Sequence, residues 1–282
     1  MSVVVTLHIY SGRPDPSWEL SDEQAAELAE RIYSIENATL LKPPGVVGNL
    51  GYSGFSISAV REKYLEPSIY IHKGVVDLAR FDMNRISDNP DLEEWLLSTA
   101  ENSISDEARE HVKTELGGIG IKALFADSKS PALAMFAVPP FDPGKWNNDP
   151  NIRTRNNCYN YANDKITNTF AQPGLGTGQM YSAFECTNVG DAARRDGQVP
   201  VSSASSTPAQ GHFIALVMWR GGDYHWYRLD SNGKWSHKPG QTPARNTDNS
   251  GALIDDPRTC DRGPYTDFCG FYHCIPANTT II

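Results

Sequence analysis

The residues of this sequence best suited to covalent chemistry are Cys158 in "RNNCYNYANDK", His212 in "QGHFIALVMW" and Asp230 in "YHWYRLD". A thiolate rather than a thiol attacks a carbonyl carbon, so a nucleophilic cysteine needs a lowered pKa, which a helix N-terminus and a nearby histidine can supply. Cys158 opens a helix-like run in which Asn156 or Asn157 is a suitable N-cap, and Arg153 and Arg155 add positive charge just upstream. His212 begins a strand running to Trp219, so its side chain projects at the rim of a sheet. The chain then turns through "RGGD". With Gly221 and Gly222 as the two turn residues His212 faces Ser231, and with a three-residue loop it faces Asp230 directly. Asp230 is thereby placed to orient the imidazole and stabilise its charged form.

This order of Cys, His and Asp resembles the papain-like superfamily of cysteine hydrolases. The Gly-His-Phe strand followed by an Asp is similar to the bacteriocin-processing peptidases, and the same order is similar to the NlpC-type and CHAP amidases and the transglutaminase-like enzymes. The resemblance covers residues 150–235. It implies hydrolysis or transfer of an amide bond, peptide or isopeptide, through an acyl-enzyme, with Cys158 as nucleophile, His212 as base and then acid, and Asp230 as orienter. No cofactor is implied. Two positions depart from the pattern: Ile152 stands where those peptidases carry an oxyanion-hole glutamine, and Tyr159 follows the cysteine where the bacteriocin-processing group has glycine. The oxyanion donors would then be the Cys158 N–H with Asn157 or Asn156, and Trp226 would line the substrate cleft.

Each residue also has a plainer reading. Free cysteines are among the most buried residue types. A strand-end histidine is usually a satisfied structural group, and an Asp before "SNG" is a natural turn starter. From these comes an alternative of a different class: a non-enzymatic carbohydrate- or protein-binding module whose aromatic hairpin (Trp219, Tyr224, Trp226, Tyr227, Trp235) makes the contact and whose cysteines are structural. No metal site is expected, because His212, His225 and His237 show no HxH or HExxH spacing and the five cysteines no CxxC pair. "GYSGFS" at 51–56 is no nucleophile elbow, since Phe55 occupies the place of the second glycine. "GLGTG" at 174–178 follows no strand and reads as a loop.

The elements that must position these residues read as α+β. In the N-terminal half, "VVVTLHIYSG" is a strand leading into a Ser-Gly-Arg-Pro-Asp-Pro turn, and "GFSISAV" and "PSIYIHKGVV" are further strands. A helix over 22–33 carries an S-x-x-Q capping box, Ser21 with Gln24, and an apolar face of Ala25, Leu28, Ala29 and Ile32. "DNPDLEEWLLSTA" and "SISDEAREHVKTEL" are capped helices. The expectation is a small N-terminal sheet with helices in an acidic domain over 1–140. A papain-like α+β domain over 141–282 follows, with an active-site helix, an antiparallel sheet and a loop-rich tail. The later part of the Gly- and Pro-rich stretch 117–150, with Pro139, Pro140, Pro143 and Pro150, is the boundary or a crossing segment between them. The N-terminal domain is left three roles: binding substrate, covering the cleft, or recruiting a protein partner.

At 282 residues with 39% hydrophobic content the chain can bury a core. The net charge of −9 belongs to the first half, with 13 Lys and Arg against 23 Asp and Glu in residues 1–150 and 12 against 11 thereafter. Without a basic stripe neither nucleic acid nor an anionic membrane is an expected partner; a peptide or amide-containing substrate is. No secretory h-region follows Met1, which makes a cytoplasmic location the default, with non-classical export as the other route. Asn37-Ala-Thr39 and Asn278-Thr-Thr280 fit the glycosylation pattern only in an exported chain. Cys186, Cys260, Cys269 and Cys274 stay thiols in a reducing compartment. An exported chain has room for two disulfides, and the odd count of five leaves at least one thiol either way.

Overall fold

The computed structural model describes residues 2–35, 37–38, 48–60, 68–78, 84–86, 91–117, 138–205 and 208–282. The earlier part of the Gly- and Pro-rich stretch falls outside them over 118–137, as does Thr39 of the first glycosylation pattern. The chain divides into two compact units. The first is Met1–Ile9, Asp15–Val47 and Tyr52–Ile121; the second is Tyr10–Pro14, Gly48–Gly51 and Lys122–Ile282. Both are built of helices with antiparallel sheet, so the molecule is α+β.

In the first unit the strands are β1 (Ser2–His8), β2 (Ser17–Glu19), β3 (Asn37–Ala38), β4 (Gly54–Val60), β5 (Ser68–His72), β6 (Val75–Asp77) and β7 (Asn84–Ile86). Among the described residues they form one sheet in the order β2-β1-β4-β5-β6-β7-β3. This is larger than the small sheet expected, because strands of two or three residues carry too little alternation to be read from sequence. Period-two patterning decides the faces: Val3, Val5, Leu7, Phe55, Ile57, Ile69 and Ile71 are all buried, while Thr6, His8, Ser56 and Tyr70 lie on the half-exposed face. Three helices, α1 (Asp22–Ser34), α2 (Asp91–Thr99) and α3 (Asp106–Gly117), add buried stripes such as Leu28 and Ile32 or Leu96 and Leu97. The capping box at α1 forms in both directions, Gln24 N to Ser21 Oγ at 3.2 Å and Ser21 N to Gln24 Oε1 at 3.0 Å.

The second unit contains α4 (Pro143–Asn147), α5 (Pro150–Arg155), α6 (Cys158–Ala162) and α7 (Cys186–Arg195). Its strands are β8 (Val199–Val201), β9 (His212–Trp219), β10 (Asp223–Leu229), β11 (Trp235–His237) and β12 (Asp267–Cys274), in the order β11-β10-β9-β12-β8. The sheet is buried on both sides. Ile214, Leu216, Met218, Tyr224 and Trp226 meet Cys158, Tyr159, Val189 and Ala192 of α6 and α7. Phe213, Ala215, Val217 and Tyr227 face the opposite way, onto Leu50, Ile254 and Tyr265 from loops. The hairpin closes with Trp219 opposite Asp223, a three-residue loop in which Gly221 takes a φ of 74° that favours glycine. A disulfide, Cys186–Cys269, staples the start of α7 to β12, leaving Cys158 and Cys274 as buried thiols and Cys260 half-buried.

Candidate functional site

Asn157 caps α6 as its spacing suggests, its side-chain oxygen accepting from Tyr159 N at 3.0 Å and Asn160 N at 3.1 Å. Its amide nitrogen donates to Gly12 O at 2.9 Å and Ala171 O at 2.8 Å. Asn156 is equally committed, donating to Ile152 O and Asn168 Oδ1, both at 2.8 Å, and accepting from the amides of Thr167 and Asn168. Neither side chain is left to meet an oxyanion. Both instead hold the loop between α6 and Ala171.

Cys158 is fully buried. The Ser11 hydroxyl and the Trp226 backbone amide lie at its sulfur, with Asp223 and Lys238 near. Burial, reinforced by the Asp223 charge, pushes the thiol up to about 12, so at neutral pH it stays protonated. A five-residue helix contributes few aligned dipoles to oppose that. Trp226 is core as well, its ring centroid 5.5 Å from Tyr159 and 5.2 Å from Tyr272.

His212 sits at the other end of the same helix. Its Nε2 bonds to the carbonyl of Ala162 at 2.6 Å, which fixes the Nε2–H tautomer, and burial lowers its pKa to about 4. Four residues separate Cys158 from Ala162, about 6 Å along a helix axis. Asp230 serves a different partner. Its Oδ1 accepts from Arg228 Nε at 2.9 Å, and the same buried guanidinium reaches Asp164 Oδ1 at 3.0 Å and the Tyr161 hydroxyl at 3.1 Å. His212 Nδ1 and Asp230 Oδ2 are both buried without a hydrogen-bond partner, so no bond joins the two residues. The structure thus brings Cys158, His212 and Asp230 around α6 without connecting them as a relay.

The histidine linked toward Cys158 is another one. Ser11 Oγ donates to His225 Nδ1, His225 Nε2 donates to His237 Nδ1 at 2.9 Å, and His237 Nε2 donates to Thr247 O at 3.0 Å. The carbonyl at the end fixes every tautomer in the chain, and both rings are held neutral by burial. Asp223 secures the covering segment by accepting from the amides of Ser11 at 2.6 Å, Gly12 at 3.0 Å and Arg13 at 3.1 Å.

A second constellation lies in the first unit and carries no sequence motif. Ser56 of β4 places Oγ 2.9 Å from His8 Nε2, and His8 Nδ1 lies 3.0 Å from Asp15 Oδ2. Asp15 is returned beside β1 by the Arg-Pro-Asp-Pro turn and is held through Oδ1 by the Ile9 amide at 2.9 Å. Ser56 belongs to the "GYSGFS" string, but its partners come from a strand and a turn more than forty residues earlier.

Among the described residues no helix is long and apolar enough to cross a membrane. No family model matches the chain, and no solved structure does. What the geometry defines is an α+β chain with a disulfide and deeply buried thiols. The curated protein named insoluble matrix shell protein 1, from Ruditapes philippinarum, is 54% identical over 131 residues, which are 46% of this chain and 86% of that protein. The chain belongs to the family of that shell matrix protein. This overturns the papain-like resemblance and, with it, the cysteine hydrolase, protease and amidase readings: a short Cys, His and Asp order is far less specific than 54% identity across most of a relative. It also overturns the cytoplasmic default, since the relative is named for an insoluble shell matrix, and the Cys186–Cys269 bond suits an oxidising compartment.

Proposed function

We propose that this chain is a structural constituent of an insoluble shell matrix, acting by binding and scaffolding rather than through a cysteine nucleophile. The observation that carries the reading is the 54% identity to insoluble matrix shell protein 1 over 86% of its length. The burial of Cys158, its raised pKa and the commitment of Asn156, Asn157 and Asp230 to structural bonds support it. So does the disulfide. Tyr224, Trp226, Tyr227 and Trp235 are buried and offer no ring face to a sugar or peptide, which leaves the half-buried Trp219 as the hairpin ring for a matrix contact.

Two measurements test this. Oxidised full-length chain mixed with the insoluble residue of demineralised shell should sediment with it at physiological salt; retention of all the protein in the supernatant would overturn the matrix role. Iodoacetamide mapping at pH 7.5 should leave Cys158 unmodified until denaturant is added, and an acyl adduct trapped on native Cys158 would restore the rejected chemistry.

A further inference from the structure

We propose that Ser56, His8 and Asp15 form a nucleophilic relay on the half-exposed face of the first unit's sheet, able to accept an acyl group from a carboxylic ester onto Ser56 Oγ. The inference concerns the other unit from that of Cys158 and stands apart from the matrix role, so either can fail alone.

The geometry is directional. Asp15 offers a carboxylate oxygen 3.0 Å from His8 Nδ1, so that nitrogen carries the proton and Nε2 presents its lone pair to the Ser56 hydroxyl at 2.9 Å. Asp15 is in turn oriented by the Ile9 amide. The order nucleophile, base, orienter is what acyl transfer requires, and such a relay is defined by geometry and roles rather than by chain order. Strand register explains the assembly. Thr6 of β1 pairs with Ser56 of β4, and His8 pairs with Gly54, so His8 and Ser56 are diagonal neighbours on one face.

Gly54 lets the neighbouring strand and the Tyr70 hydroxyl approach closely. It has a φ of 109°, and a Cβ there would stand 2.9 Å from the Tyr70 hydroxyl and 3.0 Å from the Cβ of His72. His8 flanks it on β1 and His72 on β5, and the Tyr70 ring lies beside both imidazoles, its centroid 6.2 Å from that of His8 and 6.4 Å from that of His72. His72 Nε2 is buried without a hydrogen-bond partner, and burial holds the ring neutral with a pKa of about 4. His8 and Asp15 side chains are 11% and 4% exposed, which shields the relay while leaving its face reachable.

In the reaction the Ser56 Oγ–H proton passes to His8 Nε2 as Oγ bonds to the ester carbonyl carbon. The bond from that carbon to the leaving alcohol then breaks, and the alcohol oxygen takes the proton back from Nε2. Water repeats the two steps on the acyl-serine, releasing the carboxylic acid and restoring Ser56.

The test is covalent labelling of the full chain with a fluorophosphonate at pH 7.5, with the modified residue located by mass spectrometry. An adduct on Ser56 is expected, absent in Ser56→Ala and slowed about 100-fold or more in His8→Gln. Asp15→Asn should lower the maximal labelling rate without changing the reagent concentration at half-saturation, as a positioning residue would. Absence of an adduct on Ser56, or a rate unchanged by His8→Gln, would overturn the proposal. Should His8→Gln not fold, Ser56→Cys gives the same readout. Beside a histidine base its thiol should react with iodoacetamide at pH 6.5 about tenfold faster than Cys260 in the same chain, and equal rates would overturn the relay.

Discussion

His212 shows what a buried side chain contributes to this molecule. It is neutral, donates to the Ala162 carbonyl and has a pKa lowered to about 4 by burial. In the unfolded chain the same group titrates near 6.5, so there the unfolded state binds the extra proton and stability falls as pH drops from about 6.5 to 4. Replacing His212 with Gln keeps a donor for Ala162 and removes the titration. Urea midpoints should therefore show wild type losing its advantage over His212→Gln by on the order of 3 kcal/mol across that window; parallel curves would mean the imidazole is hydrated. Comparison with the variant isolates this group from Asp223, whose carboxyl is raised to about 6 by burial and so stabilises in acid, losing that contribution as pH climbs through 6. Cys158, His212 and Asp230 were all identifiable as notable residues in the sequence. Their partners were not, because hydrogen bonds to Ala162 O and Arg228 Nε depend on where α6 meets β9 and β10.

Among the elements, the clearest contrast is between α1 and the segment 10–14. The α1 helix declares itself: its capping box, acidic first turn and apolar face lie within fourteen residues, and all three form. Segment 10–14 looked like a plain turn, yet its amides satisfy Asp223, its serine bonds His225 and its Gly12 lies against Tyr224. A Cβ at Gly12 would stand 2.6 Å from both the ring and the carbonyl of Tyr224. Gly12→Ala should therefore cost about 1–3 kcal/mol of second-unit stability by overpacking, read as a lower urea midpoint, and should admit iodoacetamide to Cys158. An unchanged midpoint would show that the segment yields freely. The hairpin was half legible: its strands and glycines were evident, but only the observed pairing of Trp219 with Asp223 chose the three-residue loop.

For the molecule as a whole, the Cys186–Cys269 link closes a loop with a sequence separation of 83, and loop-closure entropy values such a link at about 4.5 kcal/mol. Reduction, or Cys186→Ala, should lower second-unit stability by an amount of that order in denaturant titrations; identical curves with and without reductant would remove the disulfide from the account. By itself the sequence determined the α+β class, the long strands, the capped helices and an odd thiol, because periodicity, caps and counts are local or additive properties. Which cysteines pair, which histidine meets which carbonyl, and that Ser56, His8 and Asp15 share one face were decided only in the tertiary structure. Those are contacts between residues far apart in the chain, and their distances follow from strand register and packing, which no local pattern encodes.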